Sequence, residues 1–131
     1  LLDKALIDQD SRVLANAIEV LESRRKAEYV PLLAHRARGA QNRERANAIK
    51  ALHKLRAGTA GTQLMSMLHD QRSEHRISAM WALRQIGWWQ LLNEVARIAK
   101  EDGDMKVRRY ALTMLRGVAE TIQHQKKEKV G

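Results

Sequence analysis

Apolar residues recur along the chain at helical spacing, and one pattern of this kind returns four times. Each copy places an alanine, a larger apolar residue directly after it and a leucine further along on one helix face. Successive copies are offset by 31, 31 and 32 residues. A fixed period of this length indicates a helical repeat and argues against a bundle with accidental similarity. The alanines and leucines in register are Ala17, Ala48, Ala79 and Ala111, and Leu21, Leu52, Leu83 and Leu115.

A weaker apolar series precedes each copy, so each repeat is expected to contain two helices, A and then B. Possible capping residues stand just before the B helices, and glycines punctuate the turns that follow them. The expected caps are Asp10 or Ser11, Asn42, Ser73 and Asp104, and the glycines are Gly58, Gly61 and Gly87. We predict A helices at about 1–8, 28–38, 60–69 and 89–101, and B helices at about 12–24, 43–57, 73–87 and 105–123.

One such hairpin cannot bury its apolar side alone, whereas stacked hairpins bury a continuous core. The sequence therefore predicts an all-α fold, a right-handed α-solenoid of about four helical hairpins with the B helices on the concave side. We expect one domain over residues 1–123, followed by a basic tail over residues 124–131. The predicted repeats are about 1–26, 27–57, 58–88 and 89–123.

Composition narrows the function classes. The chain has no cysteine, which excludes disulfides and thiolate zinc sites and is compatible with a reducing compartment, so we expect a cytoplasmic protein. No apolar run approaches the roughly 20 residues that span a bilayer, and we expect no membrane partner. The net charge is +9, and between Arg24 and Arg56 ten basic residues face two acids. A basic surface of this kind attracts acidic protein surfaces or nucleic acid, or is only solvated.

The fourth B helix carries a valine–arginine pair, an alanine and a leucine at Val107-Arg108, Ala111 and Leu115. In these residues the chain resembles the bacterial HEAT-like repeats, of the type also called phycobilisome-lyase-like. The resemblance implies stacked helical hairpins that act mostly as scaffolds. The earlier repeats depart from the pattern, because Glu44 and His75 stand in place of the valine and Leu14 in place of the arginine.

The resemblance also implies a role for the arginine that recurs in the B helices. In the family this side chain usually bridges repeats near the A–B turn. We therefore expect Arg45, Arg76 and Arg108 to be structural, although they could also be interpreted as a basic ladder for a partner.

Helical spacing projects a set of polar and aromatic side chains onto the exposed side of the B helices. Tyrosine, tryptophan and arginine dominate binding hot spots, so we predict that this set binds a partner. In the alternative interpretation Trp81 and Tyr110 pack between repeats, and Asn47 bonds with Asn16 across neighbouring helices. For the adjacent Trp88 and Trp89 we expect packing, with one covering the core edge. The predicted partner-binding residues are Asn47, Lys50, Trp81, Arg84, Tyr110 and Arg116.

Signatures of catalysis are mostly missing from the sequence. The five histidines have no recognisable metal-ligand spacing, and there is no glycine-rich phosphate loop. The segment 101–104 looks like a helix end followed by a cap, because it lacks the further ligands of a calcium loop. We therefore expect a protein that is not an enzyme and that has no cofactor and no metal.

The leading hypothesis is a HEAT-repeat scaffold, part of a larger protein, that binds a protein partner through its concave surface. The partner would present an acidic surface or peptide. The alternative is a nucleic-acid-binding module, in which clustered basic residues contact phosphates without any sequence motif. The resemblance also leaves open a DNA-glycosylase-like or lyase-accessory role. The residues of the nucleic-acid alternative are the basic segment 24–56 with Arg84, Arg108, Arg109 and Arg116.

Overall fold

The computed structural model describes residues 26–130, with side chains over residues 28–128, and in that range the chain is all-α. A 3₁₀-helix, Trp89–Leu91, precedes the fifth α-helix, and the described residues form no strand. The predicted first repeat, apart from its last residue, lies outside this range. The α-helices are α1 (Lys26–Arg36), α2 (Asn42–Lys54), α3 (Ala60–Leu68), α4 (Ser73–Ile86), α5 (Leu92–Glu101) and α6 (Met105–Val130).

The helices pack in successive pairs, α1 with α2, α3 with α4, and α5 with α6. These pairs coincide with the predicted repeats 27–57, 58–88 and 89–123. In addition α2 packs against α4, and α4 packs against α6, so the three B helices are neighbours in chain order. No helix in the described part of the chain is both long and apolar enough to cross a bilayer.

The repeating alanines lie in the core and bring these helices close together. Ala48, Ala79 and Ala111 are all buried, and between them the larger residues Ile49 and Met80 have no exposed surface. Leu112 occupies the same register in α6 but is 44% exposed. This difference follows from position, because no described helix lies after α6 to cover that side.

Two of the expected N-caps are wrong. Asn42 and Ser73 are the first residues of α2 and α4, and the residues before them make no side-chain capping bond. Asn42 instead donates from Nδ2 to Ser78 Oγ at 2.7 Å, which joins α2 to α4. The cap at Asp104 is confirmed, because its Oδ1 accepts from the backbone N–H of Lys106 at 2.7 Å.

The turns after α2 and α4 share one geometry but use different residues. After α4 the left-handed position is Gly87, with φ 77°, and Leu83 O accepts from the N–H of Trp88. After α2 the same position is Arg56, with φ 58°, and Leu52 O accepts from Ala57. Gly58 lies in this connection as expected but does not occupy its left-handed position, whereas Gly61 lies inside α3, so its expected place in the turn is wrong.

The recurring arginines connect the hairpins, as the resemblance implied. Arg45 donates from Nε to Ala37 O in its own A–B loop and from Nη1 to Asp70 Oδ2 of the next loop at 2.7 Å. Arg76 donates in the same way to Asp70 O and to the Asp102 carboxylate. We call these contacts the arginine–aspartate ladder. They occupy the guanidinium groups of both residues, which supports the structural interpretation.

Arg108 repeats the own-loop contact by donating from Nη1 to Asp102 O. The loop that holds Asp102 was predicted to be a helix end and cap, and this is confirmed. The Asp102 carboxylate accepts from Arg76 and from the backbone N–H of Asp104. Among the described residues no group of three or more histidine or acidic side chains could hold a metal ion.

The last helix is longer than predicted. We expected it to end at residue 123 and to be followed by a basic tail, but α6 continues to Val130. Within the extension the side chains of residues 124–128 are all exposed, and the apolar periodicity of α6 ends at Ile122. Glutamine, lysine and glutamate are good helix formers, and Glu128 lies 3.0 Å from His124 one turn away. Intrinsic helix propensity therefore accounts for a segment that the apolar pattern did not predict.

Candidate partner-binding face

The exposed side of α2, α4 and α6, here called the B face, contains all six residues predicted to bind a partner. They come from three different helices and are brought side by side because α4 packs against both α2 and α6. The structure divides them among two adjoining cavities and a third group outside these cavities. On the predicted first B helix, helical spacing places Arg12, Asn16 and Glu19 on the same exposed side, and these residues lie outside the described range.

The first cavity, the aromatic pocket, opens where the three B helices meet and has a volume of about 470 Å³. Three of the predicted residues line it, and the aromatic rings form its apolar wall. Because Trp81 and Tyr110 also pack against the buried core, both are partly covered. Each ring therefore packs against the core on one side and remains partly exposed to the pocket on the other. The pocket is lined by Arg43, Ala46, Asn47, Ile77, Ser78, Trp81 and Tyr110.

Lys50 links this pocket to the next cavity. Its Nζ lies 4.7 Å from the centre of the Trp81 ring, which is a cation–π distance. The ammonium group is therefore held over one face of the indole. That face is covered, and the positive charge lies at the edge of the aromatic pocket.

Tyr110 contributes a neutral hydroxyl group to the pocket. Burial raises the pKa of Tyr110 above its ordinary value of 10.0, and the positive charge of Arg84 opposes this shift only in part. The phenol is therefore protonated at physiological pH. It can donate a hydrogen bond to a carboxylate or a carbonyl oxygen.

The second cavity, the basic cavity, lies between the C-terminal ends of α2 and α4 and has a volume of about 760 Å³. Lys50, Lys54 and Arg56 give it three permanent positive charges, and no acid lines it. Trp88 forms one wall, with its ring centroid 5.3 Å from that of His53. The full lining is Lys50, His53, Lys54, Arg56, Ala57, Gly58, Gln85, Ile86 and Trp88.

Trp88 is held in that wall by an exceptionally close approach to α3. A Cβ atom at Gly61 would lie 2.8 Å from Cη2 of the indole, so only glycine leaves room for the ring. Trp89, by contrast, is 46% exposed and lines neither of the two cavities. The expectation that one of the two tryptophans covers the core edge is confirmed.

The remaining predicted residues, Arg84 and Arg116, lie outside both cavities. The Arg84 guanidinium rests against Gly117 of α6, where a Cβ atom would lie 3.3 Å from its Nη2 atom. Arg116 is exposed on α6. The structure thus brings together Asn47, Trp81 and Tyr110, with Lys50 beside them, and places the two arginines at the margin.

Sequence reasoning missed most of the basic cavity. Lys54 and Arg56 follow the last repeat positions of α2, and Trp88 reaches the cavity only through the turn after α4. The basic segment 24–56 of the nucleic-acid alternative includes Lys50, Lys54 and Arg56, and it was the signal available in the sequence. Glu74, an acid in the first turn of α4, is exposed and lines neither cavity.

Comparison of the chain with protein-family models, with curated proteins and with solved structures finds no match. The geometry and charge of the B face are therefore the basis for assigning a function.

Proposed function

We propose that the chain is a non-catalytic binding module, a right-handed α-solenoid of HEAT-like hairpins, whose B face binds an acidic peptide segment of a protein partner. The observation that carries this proposal is the position of Lys50. It stacks on Trp81 of the aromatic pocket and also lines the basic cavity. An apolar side chain and a neighbouring acidic side chain of one peptide could therefore bind next to each other.

The arginine–aspartate ladder supports the solenoid. The contact from Arg45 to Asp70 and the contact from Arg76 to Asp102 join successive hairpins through equivalent residues. Equivalent contacts between neighbours repeat the same relative placement, and repetition of one placement is how a solenoid is generated.

The aromatic pocket supports a peptide anchor. Aromatic and arginine side chains supply most of the binding energy in protein interfaces, and they act best in partly closed pockets. Here Trp81 and Tyr110 form the apolar wall, and Arg43 and Asn47 provide hydrogen-bond donors at the rim. These donors suit the backbone carbonyls and carboxylates of an acidic peptide.

Nucleic acid is the second candidate, because neither cavity of the described face is lined by an acid. Sequence-independent binding of single strands, however, uses aromatic ring faces on which bases stack. One face of Trp81 is covered by Lys50, and Tyr110 is partly buried. The described face therefore fits a peptide better than a stacked strand.

The test is selection from a random peptide library displayed on phage, followed by affinity measurement with the selected synthetic peptides. We expect enrichment of sequences that combine aspartate or glutamate with one large apolar residue. Trp81→Ala should weaken their binding by about tenfold or more, a typical hot-spot effect. Trp89→Ala, which removes an exposed tryptophan outside both cavities, should leave the affinity unchanged.

Labelled single- and double-stranded DNA and RNA provide the opposing measurement. If the protein selects no acidic peptides but binds oligonucleotides, the second candidate replaces the first. In that case the affinity should fall by roughly a thousandfold between about 50 and 200 mM salt.

A further inference from the structure

Arg56 adopts a backbone conformation that glycine provides in the equivalent turn. Its φ of 58° lies in the left-handed region, and the matching residue after α4 is Gly87, with φ 77°. A side chain at such a position costs stability that glycine avoids. Residues in strained backbone conformations are concentrated at functional sites. The surroundings of the Arg56 side chain therefore indicate which function this residue would serve.

The side chain lines the basic cavity together with Lys50 and Lys54. Lys54 lies in the last turn of α2 and Lys50 lies one turn before it, and the left-handed turn adds a third cation. Basic residues at a helix C-terminus also interact favourably with the helix dipole. That interaction explains charges near the end of α2, but it does not explain an arginine in a strained position one residue beyond the cap.

The opposite wall of the cavity is fixed. Trp88 packs closely against Gly61 and contacts the ring of His53, and Ile86 and Gln85 complete that side. The cavity is therefore a depression closed by α4 on one side.

We propose that the basic cavity binds a phosphoryl group carried on a serine or threonine of the acidic peptide, and this inference rests on the proposed function. A phosphorylated side chain carries nearly two negative charges and three acceptor oxygens. Three positive charges around one cavity exceed the single negative charge of a carboxylate. They are closer to the nearly two negative charges of a phosphoryl group. The planar guanidinium of Arg56 can bind two phosphoryl oxygens at once, and the two lysines act as point charges.

The shared position of Lys50 favours a phosphopeptide over a nucleic-acid phosphate. Lys50 belongs to the basic cavity and covers Trp81, so the phosphoryl group would lie beside the aromatic pocket. A peptide can place a phosphoserine next to an apolar anchor residue. A nucleic-acid strand would instead require phosphate contacts that continue along the face.

The experiment uses the full chain and free O-phosphoserine as the probe. Serine, which has the same zwitterionic backbone without the phosphoryl group, and acetate, a simple carboxylate, are the comparisons. Binding is followed through ¹H–¹⁵N NMR shifts, including the indole N–H of Trp88. We expect saturable shifts at residues 50–58 and Trp88 with O-phosphoserine, and much weaker effects with acetate. A selected peptide synthesised with and without phosphoserine next to its apolar residue should show at least tenfold tighter binding when phosphorylated.

The decisive variant is Arg56→Gly. It removes the guanidinium and relieves the strained turn, so O-phosphoserine affinity should fall by about tenfold while the thermal midpoint rises. Opposite signs of this kind exclude damage to the fold as the cause. Lys54→Gln should weaken binding in the same direction. Arg109→Gln, which removes an exposed arginine of α6 outside both cavities, should change neither quantity.

The outcomes separate this inference from the proposed function. If peptides bind through Trp81 but phosphorylation or Arg56→Gly has no effect on affinity, the inference is overturned and the proposed function stands. If O-phosphoserine binds as described but no peptide requires Trp81, the cavity is an anion site and the proposed function fails. If oligonucleotides bind through Arg56 and phosphopeptides do not, the phosphopeptide inference is overturned.

Discussion

Arg76 and Asp102 form a two-point ion pair between neighbouring hairpins, with Nε 2.7 Å from Oδ2 and Nη2 2.9 Å from Oδ1. The same guanidinium donates from Nη1 to the carbonyl oxygens of Asp70 and Gln71 in its own A–B loop. The two side chains are only 16% and 7% exposed. One arginine therefore fixes two consecutive loops relative to each other in a place that water reaches poorly.

Removing this arginine should destabilise the whole described array. Arg76→Ala leaves the Asp102 carboxylate and two loop carbonyls without their main donor, and breaking a buried pair in this way costs about 3 kcal/mol. Arg76→Lys should recover little, because an ammonium group cannot reproduce the planar two-point contact. Urea unfolding followed by circular dichroism measures both changes.

The matched control is Arg97→Ala. Arg97 is 62% exposed and lies 3.6 Å from Glu94 on the surface of α5. Exposed pairs of this kind contribute little, so the unfolding free energy should change by less than about 0.5 kcal/mol. Equal effects of the two substitutions would contradict a structural role for the arginine–aspartate ladder.

The ladder carboxylates should make stability depend on acid pH. The hydrogen bond from Arg72 holds the pKa of Asp70 well below its usual range, against the opposing effect of burial. Burial raises the pKa of Asp102, but Arg76 and the N–H of Asp104 outweigh it and lower the pKa overall. In both cases the folded state prefers the ionised form.

A depressed pKa in the folded state gives stability that is fully present above the unfolded value of about 3.9. That stability is lost as the pH falls below this value and through the lower folded pKa values. We expect the free energy of unfolding to decrease steadily below about pH 4. Asp70→Asn should lower stability at pH 7 and make the acid decrease shallower, as measured by urea unfolding at pH 7, 4 and 3. An unchanged slope would contradict this assignment.

Sequence periodicity predicted the features that depend only on which side of a helix a residue occupies. The buried alanines recur at one repeat position and the ladder arginines at another, and Trp81 and Tyr110 come from two neighbouring positions of the exposed side. Helical spacing decides which of these positions lie on the same side of a helix. The bridging role of the arginines came from the resemblance to HEAT-like repeats, because spacing alone does not give a distant partner such as Asp102.

Features that depend on backbone dihedrals or on contacts between hairpins could not be predicted in this way. Gly58 was a glycine expected at the turn after α2, yet Arg56 occupies the left-handed position. Asn42 has a typical capping side chain, but its amide donates a hydrogen bond to Ser78 of the next B helix. The basic cavity was missed for the same reason, since Trp88 reaches it only through the turn after α4.

His75 shows how a difference between repeats of the chain can be structural. It occupies the place where Val107 stands in the last repeat, and it is buried. Its Nε2 lies 3.0 Å from Ala40 O, and its Nδ1 lies 3.2 Å from Arg45 Nη1. Because a guanidinium only donates and a carbonyl only accepts, the imidazole must carry its hydrogen on Nε2 and accept at Nδ1.

We therefore expect His75→Val to destabilise the protein, although a valine stands at the equivalent position of the last repeat. The substitution removes the donor to Ala40 O, which is only partly buried, and leaves a buried N–H of Arg45 without its acceptor on residue 75. An unsatisfied buried donor costs about 1–3 kcal/mol. Chemical denaturation measures this loss. His35→Val, at an exposed position of α1, is the control and should stay within about 0.5 kcal/mol. A His75→Val protein as stable as the original would show that these two bonds contribute nothing net.

Gly61 and Trp88 should behave as a coupled pair, because a Cβ atom at residue 61 would lie 2.8 Å from the indole. Gly61→Ala forces the ring or α3 to move, and overpacking of this kind costs about 1–3 kcal/mol. Gly103→Ala has open space around the added methyl group and should have little effect. In a double-mutant cycle, the variant with both Gly61→Ala and Trp88→Phe should lose less stability than the sum of the two single variants. The difference should be at least about 0.5 kcal/mol. Strict additivity would mean that the indole does not rest against Gly61, and the fixed wall of the basic cavity would then be lost as well.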